Sequence, residues 1–292
     1  MRVNRALLAG LAVVVLWASA FPAIRVAAPS MGVIGLSFAR LAIATIALLA
    51  VAIVVKARLP RMRDLGWITA CGFFGMTAYQ LLLNWGELDV PAGTASIIVA
   101  AAPLVSVAIA RILFSEPISR VTVVGSVIAL AGVALVCLAR AGVSLSTAVW
   151  IVVAAMAVQG IYHPLQRPLL RRYTSIEVAC YAMIAGTLMT LPLVPYDLEG
   201  LFGAGLTPWL AAIYLGLLPS AAGFVLWAYA VARMPVAVST SLLYLVPPVA
   251  VIIGWVWLGE LPILPELVGG LIVIAGVVTI SQVPRLLARR TA

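Results

Sequence analysis

Charge is what this chain lacks most. Only 9% of its 292 residues are Asp, Glu, Lys or Arg, where a soluble domain carries about 25%. So few charges cannot cover a water-facing surface, which excludes an ordinary soluble globular domain. Histidine occurs once, as His163, and cysteine three times. Cys71, Cys137 and Cys180 all lie inside apolar stretches, with no CxxC or Cys/His spacing. They read as small core residues, and no protein metal site is expected. No phosphate-binding glycine loop, nucleophile–histidine–acid set or paired carboxylates occur, so neither ATP hydrolysis nor other enzyme chemistry is supported, and no cofactor is expected. None of the nine acids lies at the centre of an apolar run, where a proton-coupled antiporter normally buries one.

What the chain does have is apolar length. It is 65% hydrophobic, with a mean hydropathy of +1.21, so its solvent must be a bilayer. A spanning helix needs about 20 mostly apolar residues. Runs of that kind fall at 6–26, 31–55, 65–86, 93–115, 120–139, 146–166, 177–196, 209–230, 236–258 and 266–284. The connectors are short, and the alternating ten-residue pattern of a membrane β-barrel does not occur. The start, MRVNR followed by ALLAGLAVVVLWASA, has the form of a secretory signal. Because many further spans follow it, it reads as a retained first span. The expectation is an all-α membrane protein of ten transmembrane helices.

The net charge of +9 does not form one dense patch, so nucleic acid is not an expected partner. It follows topology instead. With the N-terminus inside, Arg2, Arg5, Lys56, Arg58, Arg61, Arg63, Arg120, Arg167, Arg171, Arg172, Arg233, Arg285, Arg289 and Arg290 all fall on the inner side. Glu87, Asp89, Asp197, Glu199, Glu260 and Glu266 fall outside. The positive-inside rule then puts both termini in the cytoplasm of a multi-pass protein of the bacterial inner membrane. Anionic inner-leaflet lipids balance the basic excess.

The chain repeats itself. PAGTASIIVAAAPLVSVAIARILFSE, beginning at Pro91, aligns with PVAVSTSLLYLVPPVAVIIGWVWLGE, beginning at Pro235. Pro103 meets Pro247, Gly125 meets Gly269 and Gly132 meets Gly276. Earlier in the chain FPAIR from Phe21 aligns with HPLQR from His163. Two five-span units follow, 1–145 and 146–292. Five is odd, so the second unit enters the membrane inverted, and inverted repeats place a transport site near the midplane between the halves. The stretches LWASAFPAIRVA, SFARLAIATIALL, GTASIIVAAAPLVSVAIARILFSEPIS and GSVIALAGVALV, with their second-half copies, resemble the drug/metabolite transporter superfamily, EamA type, over essentially the whole chain. Within it the chain is similar to bacterial exporters of aromatic and other amino acids. The resemblance implies a ten-helix inner-membrane exporter with a central cavity and alternating access.

Candidate site residues are those too costly to point at lipid. In QGIYHPLQR, Gln159 and His163 share a helix face, and Pro164 removes a helix hydrogen bond. Trp17 and Phe21 are the aligned pair in the first unit, beside Pro22. One polar and one aromatic face at matching positions suit a substrate with a zwitterionic and an apolar end. The alternative is that these groups only satisfy each other between helices. Tyr162 lies off the shared face. Arg40 lies too deep for easy snorkelling. It either anchors a substrate carboxylate or holds a helix terminus. Arg25 and Arg140 sit near span ends and read as snorkelling. Tyr79, Gln80, Asn84 and Tyr244 complete the candidate binding set, with Trp227, Tyr229, Ser239, Thr240 and Ser241 as neighbours that could instead bond across helices. Trp85, Trp150, Trp209, Trp255 and Trp257 read as an interfacial belt. Pro22, Pro103, Pro164, Pro247 and Pro248 are candidate hinges. The paired glycines Gly125/Gly132 and Gly269/Gly276 read as close-packing contacts.

The function expected is export of amino acids with aromatic or other large apolar side chains, and of similar small metabolites, by facilitated, uncoupled transport. The alternatives are a proton-coupled metabolite or drug antiporter using His163, and a nucleotide-sugar-type carrier, which would need more deep cations than Arg40. A lipid-modifying membrane enzyme would need a catalytic pair near an interface, and a scaffold or sensor would bring a soluble output domain. The partners are a small-molecule substrate and the lipid bilayer, with a monomer sufficient.

Overall fold

A computed structural model describes residues 5–115, 118–140, 147–234, 236–261 and 263–290. Expectations placed on Arg2, Glu116, Cys137, Arg140, Glu266 and the C-terminal arginines fall outside the described residues and side chains. Among the described residues the chain is helical and has no strand. Its long helical segments are α1 (Arg5–Met31), α2 (Val33–Val54), α3 (65–86), α4 (Ala92–Phe114), α5 (Arg120–Arg140), α6 (Thr147–Leu170), α7 (Ser175–Tyr196), α8 (Leu206–Val231), α9 (236–258) and α10 (Leu264–Arg290). Seven of them, α1, α2, α4, α6, α7, α8 and α9, are long and apolar enough to cross a membrane. Shorter apolar stretches occupy Arg120–Gly132 and Leu267–Gly276.

The prolines interrupt these helices where backbone chemistry requires. Pro22 has no N–H and its ring crowds the carbonyl of Ala18, and α1 breaks at Ser19. Pro103 follows a break at Ala100–Ala101 in α4. Pro247 and Pro248 follow a 3₁₀ turn, Leu242–Leu245, in α9. Around Pro164 the helix continues to Leu165, and the turn comes at Gln166.

Helices from the earlier and later parts of the chain pack on one another. α3 and α8 each contain one π-helical turn, Gly72–Ala78 and Gly216–Ala222. Each turn begins at a glycine that lets a neighbouring helix approach closely. A Cβ on Gly72 would stand 2.6 Å from the Cβ of Ala185 in α7, and one on Gly216 would stand 2.7 Å from Ile43 Cγ2 in α2. α5 and α10 pack on each other. Gly132 backs onto the Gly269 carbonyl and Gly276 onto the Gly125 carbonyl, with 2.6 and 2.5 Å left for an added Cβ. Between α2 and α7, Thr45 Oγ1 bonds Thr187 Oγ1 at 2.8 Å.

Polar clasps join distant segments of the chain at both ends of the helices. At one end Asp197 accepts from the amides of Ile34 and Gly35, both at 3.1 Å, and so caps α2. Gly32, at φ +71°, makes the single-residue turn that permits this, since a side chain there would strike the Asp197 carboxylate. Arg25, expected to snorkel, donates instead to the carbonyls of Glu87 (2.8 Å) and Leu88 (3.0 Å) and stands 3.7 Å from Glu260. At the other end Thr174 and Glu177 form a capping box on α7. Glu177 also takes Arg58 through Nε and Nη2, and Asp64 accepts from Arg172 and, at 2.7 Å, from the Tyr173 hydroxyl. The Tyr173 and Arg172 donors hold the Asp64 carboxyl below the usual carboxylate range. Of the five tryptophans expected to form an interfacial belt, Trp85, Trp150, Trp255 and Trp257 are exposed and Trp209 is half-buried.

Candidate functional site

QGIYHP stands in an otherwise apolar helix, α6, and its backbone chemistry explains why. Pro164 cannot donate to the carbonyl of Gly160, four residues earlier. That carbonyl is taken by Ser106 of α4, whose Oγ lies 2.9 Å away. Gly160 itself allows the approach: a Cβ there would stand 2.7 Å from the Ala102 carbonyl of α4. Ser106 Oγ also lies 3.1 Å from Ala102 O and 3.1 Å from His163 Nδ1. Its single proton goes to a carbonyl, because two carbonyl oxygens crowd it. Nδ1 of His163 therefore donates to Oγ, and Nε2 is left as a bare acceptor. Nε2 has no partner, although His163 is fully buried. The proline, the glycine and the histidine thus belong to one arrangement, completed from another helix by a serine.

Around His163 stands an aromatic cluster. Trp17 stacks over it at 6.4 Å between centroids, with a 10° interplanar angle, and Trp227 lies at 4.9 Å. Tyr162 and Phe224 close the ring of contacts, 5.7 Å from each other. Trp17 is fixed by its indole N–H, which donates to the Pro219 carbonyl at 3.0 Å. Pro219 lies in the π turn of α8. Such turns shift the helical register and often mark functional sites.

Between these groups lies a cavity of about 30 Å³. Trp17, Phe21, Tyr79, Gln159 and His163 line it, together with Ser96, Val99, Ala100 and Ala102 of α4 and Leu243 and Val246 of α9. Ligand sites measure about 300 to 1,000 Å³, so this space admits a water molecule and no amino acid. The centre has no room for a substrate in this conformation. Gln159 Oε1 and Trp227 Nε1 are buried nearby without partners. Unmade hydrogen bonds of this kind are expensive in an apolar interior, about 1–3 kcal/mol each.

The remaining sequence candidates sit apart from that cavity. Arg40 is 3% exposed. Its Nε and Nη2 each lie 3.3 Å from Ser220 Oγ in the π turn of α8, and Nη1 has no partner. Gln80 is fully buried with both amide atoms unpartnered. Asn84 donates to Ser37 Oγ at 2.8 Å, and Ser37 passes its proton to the Val33 carbonyl at 2.7 Å. Tyr244 packs with Ile97, Ala129 and Val273, one residue away from the cavity wall at Leu243. Sequence reasoning missed Ser96, Ser106, Phe224 and Ser220. Small hydroxyls and a phenylalanine in apolar spans carry no signal of their own. Pro219, in the middle of the eighth run, was the available clue for Ser220.

The chain is similar to known families and proteins. The EamA-like transporter family matches residues 4–138 and again residues 146–282. A protein of Streptantibioticus cattleyicolor described as a "Probable terminal-alkyne amino-acid exporter" is 50% identical over 290 residues, covering 99% of this chain and 97% of its own. The "Uncharacterized transporter YdfC" of Bacillus subtilis is 34% identical over 90% of this chain and 86% of its own. A solved crystal structure at 20% identity superposes over 98% of both chains with a TM-score of 0.71, and so has the same fold. The chain is a multi-pass membrane transporter, not an enzyme, and belongs to the EamA-like transporter family.

Proposed function

We propose that the chain exports α-amino acids with apolar side chains across the bacterial inner membrane by alternating access at the His163 cavity. The carrying observation is the small cavity of about 30 Å³ that Gln159 and His163 line together with Trp17 and Phe21. The acceptors suit a substrate ammonium and the rings its side chain. The similar exporter of terminal-alkyne amino acids supports a slim apolar side chain as readily as an aromatic one.

Ten spans carry this function, in two inverted units, 1–145 and 146–292, with both termini in the cytoplasm. Reciprocal contacts support the inversion. Gly132 touches Gly269 while Gly276 touches Gly125, and in the aligned numbering these pairs are the same contact made twice. Thr45 and Thr187, 142 residues apart, keep the offset that aligns Phe21 with His163. Pro22, Pro103, Pro164, Pro247 and Pro248 mark where the halves bend between inward-open and outward-open forms.

Transport is uncoupled. The groups described around the His163 ring are aromatic rings, the Ser106 hydroxyl and the Gln159 amide, none of them charged, a setting for a neutral hydrogen-bonding imidazole rather than a proton carrier. The test is efflux from proteoliposomes preloaded with leucine, phenylalanine, a terminal-alkyne amino acid or a nucleotide sugar, with and without a pH gradient. Amino-acid efflux indifferent to the gradient is expected. A gradient-driven component lost in His163→Ala would make His163 the coupling group, and efflux of the nucleotide sugar alone would overturn the substrate class.

A further inference from the structure

We propose that the groove between α2, α3 and α7, at the end where Lys56 and Arg58 stand, binds an anionic phospholipid, one acyl chain in the groove and the phosphate on the basic rim. The groove encloses about 690 Å³. Its walls are hydrocarbon: Leu49 and Ile53 of α2, Ile68 of α3, Ile184 and Leu188 of α7. From Val54 down to Leu49 the helix rises about 7.5 Å, so the groove runs from the basic connector into the acyl region.

The rim fixes the choice of headgroup. The connector after α2 carries Lys56, Arg58, Arg61 and Arg63, all exposed. Lys56 has no ion-pair partner among the described residues, and its backbone is held at φ +53°, where the chain turns out of α2 over the groove mouth. Arg58 gives Nε and Nη2 to Glu177 and keeps Nη1 free. The two acids of this region do not offset the rest: Glu177 is occupied by Arg58, and Asp64 is buried against Arg172 and Tyr173. A phosphodiester is the group that an unpaired ammonium and a free guanidinium N–H would hold at a membrane surface.

A second groove on the same three helices supplies an internal comparison. It lies toward the opposite end and encloses about 790 Å³. Its lining includes Ile34, Phe73, Leu81, Trp85 and Leu193 and contains no charged residue. Both grooves can take an acyl chain, and only the first can select its headgroup.

The proposal is independent of what the protein transports, and lipid retention reads it separately from flux. The full chain is placed in nanodiscs of equal phosphatidylglycerol and phosphatidylcholine, released into the gas phase, and its retained lipids are counted by native mass spectrometry. One phosphatidylglycerol is expected to stay bound in preference to phosphatidylcholine. Lys56→Gln should lower that preference about fivefold, the weight of one interfacial lysine. Ile184→Trp, which fills the groove with an apolar side chain and leaves the rim intact, should remove the retained lipid. Equal retention of the two lipids by the native chain would overturn the proposal. So would a phosphatidylglycerol preference that survives both variants, or one abolished by Leu81→Trp in the uncharged groove.

Discussion

Replacing Ser106 by alanine tests the central arrangement most directly. The substitution removes one oxygen and strands two buried groups, the Gly160 carbonyl and His163 Nδ1. Each unpartnered group costs about 1–3 kcal/mol. The Ala102 carbonyl keeps its place in the helix, and the neighbouring cavity of about 30 Å³ lets one water recover part of the loss. A net destabilisation of about 3 kcal/mol is expected. At about 2–4 °C per kcal/mol for chains of this size, the apparent melting temperature should fall by roughly 6–12 °C. The informative partner is Pro164→Ala, which restores an amide N–H four residues beyond Gly160. Alone it should change stability little, because the carbonyl already has Ser106. In the Ser106→Ala background it should return about 1–2 kcal/mol, because the carbonyl regains a helical donor. Thermal unfolding of the four proteins in one detergent, followed by tryptophan fluorescence, reads the cycle. Costs that add to within about 0.5 kcal/mol would refute the link between the proline and the serine.

Gly132→Leu and Gly276→Leu should each loosen the α5–α10 contact and lower stability by similar amounts; a large loss from one and none from the other would break the reciprocity of that contact. Cysteines at Thr45 and Thr187, in a chain stripped of Cys71, Cys137 and Cys180, should cross-link under mild oxidation, as mass spectrometry of a digest would show; no cross-link would separate α2 from α7. The Asp64 carboxyl is held low by Tyr173 and Arg172, so its stabilising effect is present above about pH 4, the ordinary aspartate value, and fades as pH falls through the lowered folded one. Asp64→Asn should therefore flatten the acid side of the stability profile, and an unchanged profile would remove Asp64 from the clasp. A C-terminal reporter active only in the cytoplasm should be active, and a periplasmic signal there would overturn the ten-span topology.

The helices were legible because apolar length is a strong signal. The runs 31–55 and 120–139 became Val33–Val54 and Arg120–Arg140. The run 6–26 extended to Met31, since Pro22 bends α1 at Ser19 without ending it. Helical spacing placed Gln159 beside His163 and Trp17 beside Phe21, and the repeat joined the two pairs. Tyr244, chosen for its hydroxyl alone, does not line the cavity. The chain there is a 3₁₀ turn with three residues per turn, which turns Leu243 to the cavity and Tyr244 toward Val273. The π turns of α3 and α8 are invisible to hydropathy, because they alter hydrogen-bond register and leave composition unchanged. Ser106 was unreadable for another reason: the carbonyl it satisfies is freed by a proline on a different helix.

Arg40 can be weighed against its own counterpart. α2 and α7 begin 142 residues apart, so Arg40 aligns with Ala182. Both positions abut the glycine that opens a π turn. Gly216 packs on the carbonyl of Arg40, and Gly72 on the carbonyl of Ala182, with 3.1 Å left for an added Cβ in each case. The α7 copy of this packing is made with a methyl side chain alone. The helix contact therefore does not require a guanidinium, which weakens the purely architectural role. A buried arginine with one unpartnered nitrogen is costly to keep; the buried Glu87 carboxylate acts on it only through space, and a substrate carboxylate that visits during transport would add a direct partner. Arg40→Lys keeps the charge and loses the planar fork, so it should fold normally and raise the substrate concentration needed for half-maximal flux. Arg40→Ala should fold as its Ala182 counterpart does and lose most of the flux. An Arg40→Ala protein that unfolds, or one that transports normally, would return the residue to architecture or to no role at all.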